Sequence, residues 1–350
     1  LRRNKTMQFS DLSHRILRER INLSQAWEAW IDAEDMRRHS FLGSMGFEAR
    51  DGKDYLYRRV GGAGKSLGPR SERTEEQLAR FKDGREENRA RLQRLQDSLD
   101  KQAAILRGLR DGRLPVVAAR ILRELRLHSR QSRIRVVGTN ALYAYEALAG
   151  VRFEVGATAT SDTDLLHDDR NRLRLLTDER RLIGLAEMIK SRIDASFTSR
   201  NPRDYRLTNA EGYMVELIRP KPRPAWKKMP GAESGQADDL VGTPIIGLQW
   251  LVNAPAVDTI VVDERGYPAP IRCPDPRYWA AHKFWLSTRE DRDPAKKGRD
   301  AAQALAVVKL IAEKLPHLPL DEVFFTQLPN ALRDQIKAIV PAKGDDRPGW

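Results

Sequence analysis

Val137-Gly138-Thr139-Asn140 and, downstream, Ser161-Asp162-Thr163-Asp164-Leu165-Leu166 decide how this chain is read. A glycine-led turn after an apolar strand brings backbone N–H groups close to phosphate oxygens. Asp-x-Asp on a strand puts both carboxylates on one face, because strand side chains alternate with period two. Two hard oxygen donors side by side suit Mg²⁺, which binds through one or two carboxylates together with substrate phosphates. The two motifs together describe a place to hold a metal–nucleoside triphosphate.

A third carboxylate is expected on a neighbouring strand. Glu216 lies mid-strand in the otherwise apolar run Met214-Val215-Glu216-Leu217-Ile218. A charge there is costly without a partner. On an exposed edge strand it would simply point to water.

Working outward, the turn motif follows a short strand, Ile134-Arg135-Val136-Val137, and opens a helix over 140–149. The strand with Asp162 and Asp164 comes next, then a helix over 176–191. A hairpin around Asn209-Ala210-Glu211-Gly212 joins 204–207 to 213–218. The stretch 220–241 carries four prolines and a polar run, which reads as a loop able to border the site as a flap. A short element over 246–252 and a hairpin joining 259–262 to 268–271 follow. From Pro276 onward the pattern is helical.

Upstream, 10–40 reads as helical, with Asn22 or Ser24 as a cap. Trp27 and Trp30 share one face at i, i+3 spacing, which suits a core stripe rather than base stacking. Asp51-Gly52 between alternating residues marks a hairpin turn. Gly61-Gly62-Ala63-Gly64-Lys65-Ser66 is not a P-loop, because Arg59 stands where that motif needs its first glycine. It reads as a basic loop touching phosphates or as a solvated hairpin tip. Residues 71–113 form a long charged helix with Leu78, Phe81, Leu92, Leu95, Leu99, Ile105 and Leu109 as its apolar positions. Its expected partner is a second helix over 115–130.

The chain has 350 residues, 40% of them hydrophobic, enough for about two domains with a sizeable core. Lys and Arg number 62 against 49 Asp and Glu, a net charge of +13 that favours a polyanionic partner, nucleic acid first. Cys273 is the one cysteine, which excludes an internal disulfide and a cysteine zinc site. No signal-like or membrane-spanning apolar run stands out, so a cytoplasmic location is expected.

The Gly-Thr turn followed by Asp-x-Asp resembles the signature of the polymerase-β-like nucleotidyltransferase superfamily. The run Gly138-Thr139-Asn140-Ala141-Leu142-Tyr143-Ala144-Tyr145-Glu146 is similar to a bacterial branch of stand-alone nucleotidyltransferases, with toxin-type relatives. The resemblance covers roughly residues 134–311. It implies an α+β fold: a mixed sheet flanked by helices, with a helical N-terminal arm and a helical C-terminal region. The expected units are 1–130, 131–272 and 273–350. Asp162, Asp164 and Glu216 are then the catalytic and metal-holding residues, with two Mg²⁺ ions, or Mn²⁺ in their place. Gly138, Thr139 and Asn140 would meet the phosphates.

The segment Tyr278-Trp279-Ala280-Ala281-His282-Lys283-Phe284, the basic run after it and Asp300 also resemble this branch. The resemblance places Lys283 on the triphosphate, with Arg289, Asp300, Arg292 and Lys296 near the nucleotide. The plainer alternative is a surface helix pair joined by salt bridges. Of Tyr143 and Tyr145, at most one faces the nucleotide. The implied activity is transfer of an NMP from an NTP to an acceptor hydroxyl, with RNA preferred and the tRNA 3′ end the specific expectation. Toxin–antitoxin or phage-defence roles fit the relatives. The alternatives are a protein or small-molecule acceptor, or a non-catalytic module that binds nucleic acid or a partner. No membrane partner is expected, and the N-terminal arm could serve a protein partner or a homodimer.

Overall fold

The computed structural model describes residues 8–129, 133–158, 160–168, 170, 173–178, 181–222, 231–232, 234–236 and 239–340. A short strand, β1 (Phe9–Asp11), leads to α1 (His14–His39), where the Ser13 hydroxyl accepts the Ile16 N–H. The helix is continuous through Asn22 and Ser24, so neither is its cap. Strands β2 (Ser44–Arg50), β3 (Lys53–Val60) and β4 (Ala63–Pro69) form an antiparallel meander. Asp51 and Gly52 both have positive φ, 51° and 72°, as a two-residue hairpin turn that matches strand twist requires. Gly61 and Gly62 are the next hairpin tip, and Lys65 and Ser66 lie in β4, so the glycine-rich run is a hairpin and not a strand-to-helix P-loop.

Helix α2 (Glu72–Gly108) starts at a capping box between Ser71 and Thr74. Its partner is α1 and not the following helix: Leu23, Trp27 and Ile31 pack with Leu99 and Leu106, and Asn88 donates to the Ala33 carbonyl at 3.0 Å. Ile105 is exposed, and Leu106 takes the inward position. Helix α3 (Val116–His128) turns Ala118, Ile121, Leu122 and Leu125 into the main core instead.

Strand β5 (Arg135–Val137), a 3₁₀ turn over Gly138–Asn140 and α4 (Ala141–Ala149) follow. Next come β6 (Val151–Phe153), α5 (Val155–Thr158) and β7 (Asp162–Leu166). The helix expected over 176–191 is shorter. A small hairpin of β8 (Leu175–Leu176) and β9 (Leu182–Ile183) precedes α6 (Leu185–Arg192). The start of α6 is fixed by a distant group: Asp239 accepts the Leu185 and Ala186 N–H groups at 2.9 and 2.7 Å. A carboxylate at a helix N-terminus satisfies orphan donors and suits the helix dipole.

Strands β10 (Arg206–Thr208) and β11 (Met214–Pro220) pair as the expected hairpin. Much of the expected flap, 223–230, 233 and 237–238, lies outside the described residues. Then come β12 (Thr243–Ile245), α7 (Leu248–Asn253), β13 (Ala256–Val262) and β14 (Pro268–Pro274). The chain continues helical through α8 (Pro276–Thr288), α9 (Pro294–Lys314), α10 (Glu322–Gln327) and α11 (Asn330–Lys337). The central sheet has the order β10-β11-β7-β5, with β12 beside the end of β11. The β11–β7 and β11–β12 pairs are parallel and the others antiparallel, so the sheet is mixed and the class α+β. One apolar core joins α3, this sheet, β14 and the C-terminal helices. No helix among the described residues is long and apolar enough to cross a membrane.

The N-terminal helices are fastened to this body by charge as well as packing. Asp111, buried just after α2, accepts Arg20 of α1 at 2.6 and 3.0 Å and Arg152 of β6 at 3.1 Å. Removing one partner of a buried charge group leaves the others uncompensated, at a cost of about 3–5 kcal/mol. Asp111→Asn is therefore expected to lower the unfolding free energy by about 3 kcal/mol. Urea denaturation would measure it, and an unchanged midpoint would refute the role.

Candidate active site

The alternation of two strands builds the floor of the site. Strand β7 pairs with β11 in parallel, with Asp162 opposite Met214 and Asp164 opposite Glu216. Leu165, Val215 and Leu217 turn to the main core. Asp162, Asp164 and Glu216 therefore share the opposite face. Further along that face, Leu166 and Ile218 pack with Val137, Leu248, Leu251 and Val252. The result is a floor that is acidic at one end and apolar at the other.

The turn after β5 closes over the acidic end. Gly138 has φ +63°, and a Cβ there would overlap the Asp164 carboxylate. Glycine is required on both counts. Asn140 is buried and engaged with the carboxylate strand: its amide donates to the Asp162 carbonyl at 2.9 Å and to the Thr163 hydroxyl at 3.0 Å. Tyr213 meets the same Thr163 hydroxyl at 2.7 Å. Asn140 thus ties turn to strand instead of pointing into the cleft. Thr139 does line the cleft, and its hydroxyl accepts from Gln303 at 3.4 Å.

The three carboxylates are answered differently. Asp162 accepts the Thr160 hydroxyl. Glu216 meets Arg206, its cross-strand neighbour on β10, at 2.5 Å. Asp164 has neither partner. Burial, and then the charges of Asp162 and Glu216, push its carboxyl up to about 7 against the smaller pull of Lys283 and Lys296. Among the described residues no group of three or more His, Cys, Asp or Glu is arranged to hold a metal ion. Asp162, Asp164 and Glu216 all line the cleft, with Glu216 also drawn to Arg206.

The opposite wall is basic and comes from α8, α9 and the link between them. Lys283 is buried and donates to Asp300 at 2.7 Å, and Arg292 binds the other Asp300 oxygen at 2.8 Å. Lys296, Arg299 and Gln303 complete this wall around a cleft of about 290 Å³. Five basic side chains, including Arg206, face four carboxylates there. His282 lines it too, and burial lowers its pKa to about 3, so its ring is neutral at physiological pH. Arg289 does not line the cleft. It pairs with Asp291 at 2.5 Å and lies over the Trp285 ring. Neither Tyr143 nor Tyr145 lines it: both are buried, and their hydroxyls donate to the Thr158 and Pro274 carbonyls.

Arg206 and Gln303 are the residues that sequence reading missed. Arg206 was within reach, because a hairpin turning at 209–212 places it opposite Glu216. Gln303 carried no local signal. Its bond with Thr139 spans 164 positions.

The Asp164 carboxyl binds its proton more tightly folded than unfolded, where the usual value is about 3.9. The native state therefore loses stability as pH rises from about 4 to about 7. Asp164→Asn removes that loss. Without divalent cations, the variant is expected to melt several degrees above the parent near pH 8, with the gap closing toward pH 4. Thermal melts at both ends of that window check it, and a pH-independent gap would count against it.

A family model described as nucleotidyltransferase matches residues 117–328, from the start of α3 to just past α10. All the residues that line the cleft fall inside that span. No curated protein and no solved structure matches the chain. With more than half of its length matched, and the matched part holding the acidic floor and basic wall, the chain belongs to this nucleotidyltransferase family.

Proposed function

We propose that the chain moves a nucleoside monophosphate from an NTP onto an acceptor hydroxyl of RNA. The observation that carries this reading is the opposition, across one cleft, of Asp162, Asp164 and Glu216 to Lys283, Arg292 and Lys296. A triphosphate needs cations on its oxygens, and the reaction needs carboxylates where the metal and the attacking hydroxyl sit.

The residues fit a divalent cation such as Mg²⁺. Asp164, buried beside two like charges, stands in the environment that such a cation relieves. Asp162 and Asp164 would hold it, with substrate phosphate oxygens filling further positions. Bound there, ions of this kind supply charge stabilisation at the entering and leaving oxygens.

The protein's own groups do the rest. The Gly138-Thr139 turn offers backbone N–H groups and a hydroxyl to the β- and γ-phosphates. Lys283, steadied by Asp300, and the neighbouring Arg292 and Lys296 take up charge on the leaving pyrophosphate. The acceptor oxygen bonds to the α-phosphorus as the bond from that phosphorus to the bridging oxygen breaks. Glu216, held in place by Arg206, takes the hydroxyl proton. The net charge of +13 supports a polyanionic acceptor, and within RNA we infer the tRNA 3′ end.

Incubation with each α-³²P-labelled NTP, Mg²⁺ and total RNA tests this. Label is expected on RNA, and Asp162→Asn/Asp164→Asn is expected to lower it at least about 100-fold. Label on protein would move the acceptor to a side chain. No label with any nucleotide would refute the reading.

A further inference from the structure

A second cleft, of about 380 Å³, lies where the N-terminal helices meet the family-matched body, and it shares no lining residue with the first. Trp27 and Trp30 of α1 form one side, their rings stacked at 5.4 Å and 18°. Trp27 is buried in the small helix core, whereas Trp30 is only half-buried. Tyr267 adds a second aromatic wall, its hydroxyl donating to Asp100 at 2.9 Å. The core-stripe reading therefore accounts for Trp27 and leaves Trp30 with a partly open ring.

The charges around these rings are not balanced. Arg123 is paired with Asp263, while Glu124 also lines the cleft, its carboxylate 3.3 Å from the His128 ring. Arg120, Arg192 and Arg265 are exposed, line the same cleft, and have no ion pair among the described residues. Arg120 makes one neutral contact, donating to the Arg192 carbonyl at 2.8 Å. Three separate elements, α3, the end of α6 and the β13–β14 turn, bring these three guanidinium groups to one place. Guanidinium groups bind phosphate in a bidentate way, and aromatic rings stack on any base. The volume suits one or two nucleotides and not a duplex, whose bases are already stacked on each other.

We propose that this cleft binds a single-stranded segment of the RNA acceptor, with a base against Trp30 and Tyr267 and phosphates on Arg120, Arg192 and Arg265. The proposal rests on RNA being the acceptor. It also gives a role to α1, which lies outside the family match and brings Trp27 and Trp30 to the cleft beside Tyr267 of the matched body.

The test uses the full chain carrying Asp162→Asn/Asp164→Asn, titrated with a fluorescein-labelled single-stranded RNA of about 12 nucleotides. Adding Arg120→Gln/Arg192→Gln/Arg265→Gln is expected to weaken binding at least about tenfold. It should also reduce the slope of log K against log salt by about 2, at ~0.7 for each phosphate no longer neutralised. Trp30→Phe, which keeps the packing, should remove most of the tryptophan quenching that RNA causes. RNA affinity and salt slope unchanged by the arginine substitutions would overturn the proposal. So would polyglutamate binding as tightly as RNA, since that would mark an unspecific basic surface or a protein-binding one. RNA held at this cleft by a parent chain that transfers no label would keep the site and remove the acceptor reading. Transfer to RNA that is indifferent to the arginine substitutions would do the reverse.

Discussion

The pairing of β7 with β11 puts three like charges on one face of a sheet, and the rest of the site is arranged around that cost. The register is not free to change. Leu165, Val215 and Leu217 occupy the other face and are fully buried in the main core. A slip of one residue in either strand would turn its carboxylates into that core and its leucines into the cleft. Core packing therefore specifies the position of the acidic groups, and the stability of the sheet is what holds their mutual repulsion. Arg206 reduces the repulsion at Glu216 and Thr160 reduces it at Asp162. Asp164 is left with the weaker pull of Lys283 and Lys296 against burial and two like charges.

Preorganisation follows from how the pieces are tied. Asn140 bonds both the Asp162 carbonyl and the Thr163 side chain, so the turn and the carboxylate strand are one unit. Asp300 does the same for the opposite wall by gripping Lys283 with one oxygen and Arg292 with the other. A buried carboxylate between two cations leaves that wall with surplus positive charge and fixed geometry. Asn140 thereby fixes the turn, and Asp300, which itself lines the cleft, fixes the basic wall.

What could be read from the sequence was what is local. Period-two alternation located Asp162, Asp164 and Glu216 on strands that do pair, and Asp51-Gly52 marked a turn with positive φ at both positions. What could not be read was long-range. Asp239 caps α6 from 53 and 54 positions away, which is why the helix begins at Leu185 and not near 176. Helix α2 offered apolar positions that either α1 or α3 could have covered, and only the three-dimensional competition chose α1. Tyr143 and Tyr145 sit beside the phosphate turn in sequence. The carbonyls that satisfy their hydroxyls belong to Thr158 and Pro274, and this draws both rings inward.

The part of the chain before the family match also bears on the strand that carries Asp162 and Asp164. Arg113 lies just before that match and donates to Glu146 at 2.5 Å, to the Phe153 carbonyl at 2.9 Å and to the Thr158 hydroxyl at 2.6 Å. These acceptors sit on α4, on β6 and at the end of α5, the helix that precedes β7. Glu146 also accepts the Phe153 N–H at 2.7 Å. One guanidinium therefore fixes where the chain turns back toward Asp162. With Asp111 binding Arg20 and Arg152 two positions earlier, the link after α2 acts as a joint. Asp111 is the group partnered on both sides, by Arg20 of α1 and Arg152 of β6, while Arg113 binds the body alone, and displacing either would leave a buried charge uncompensated.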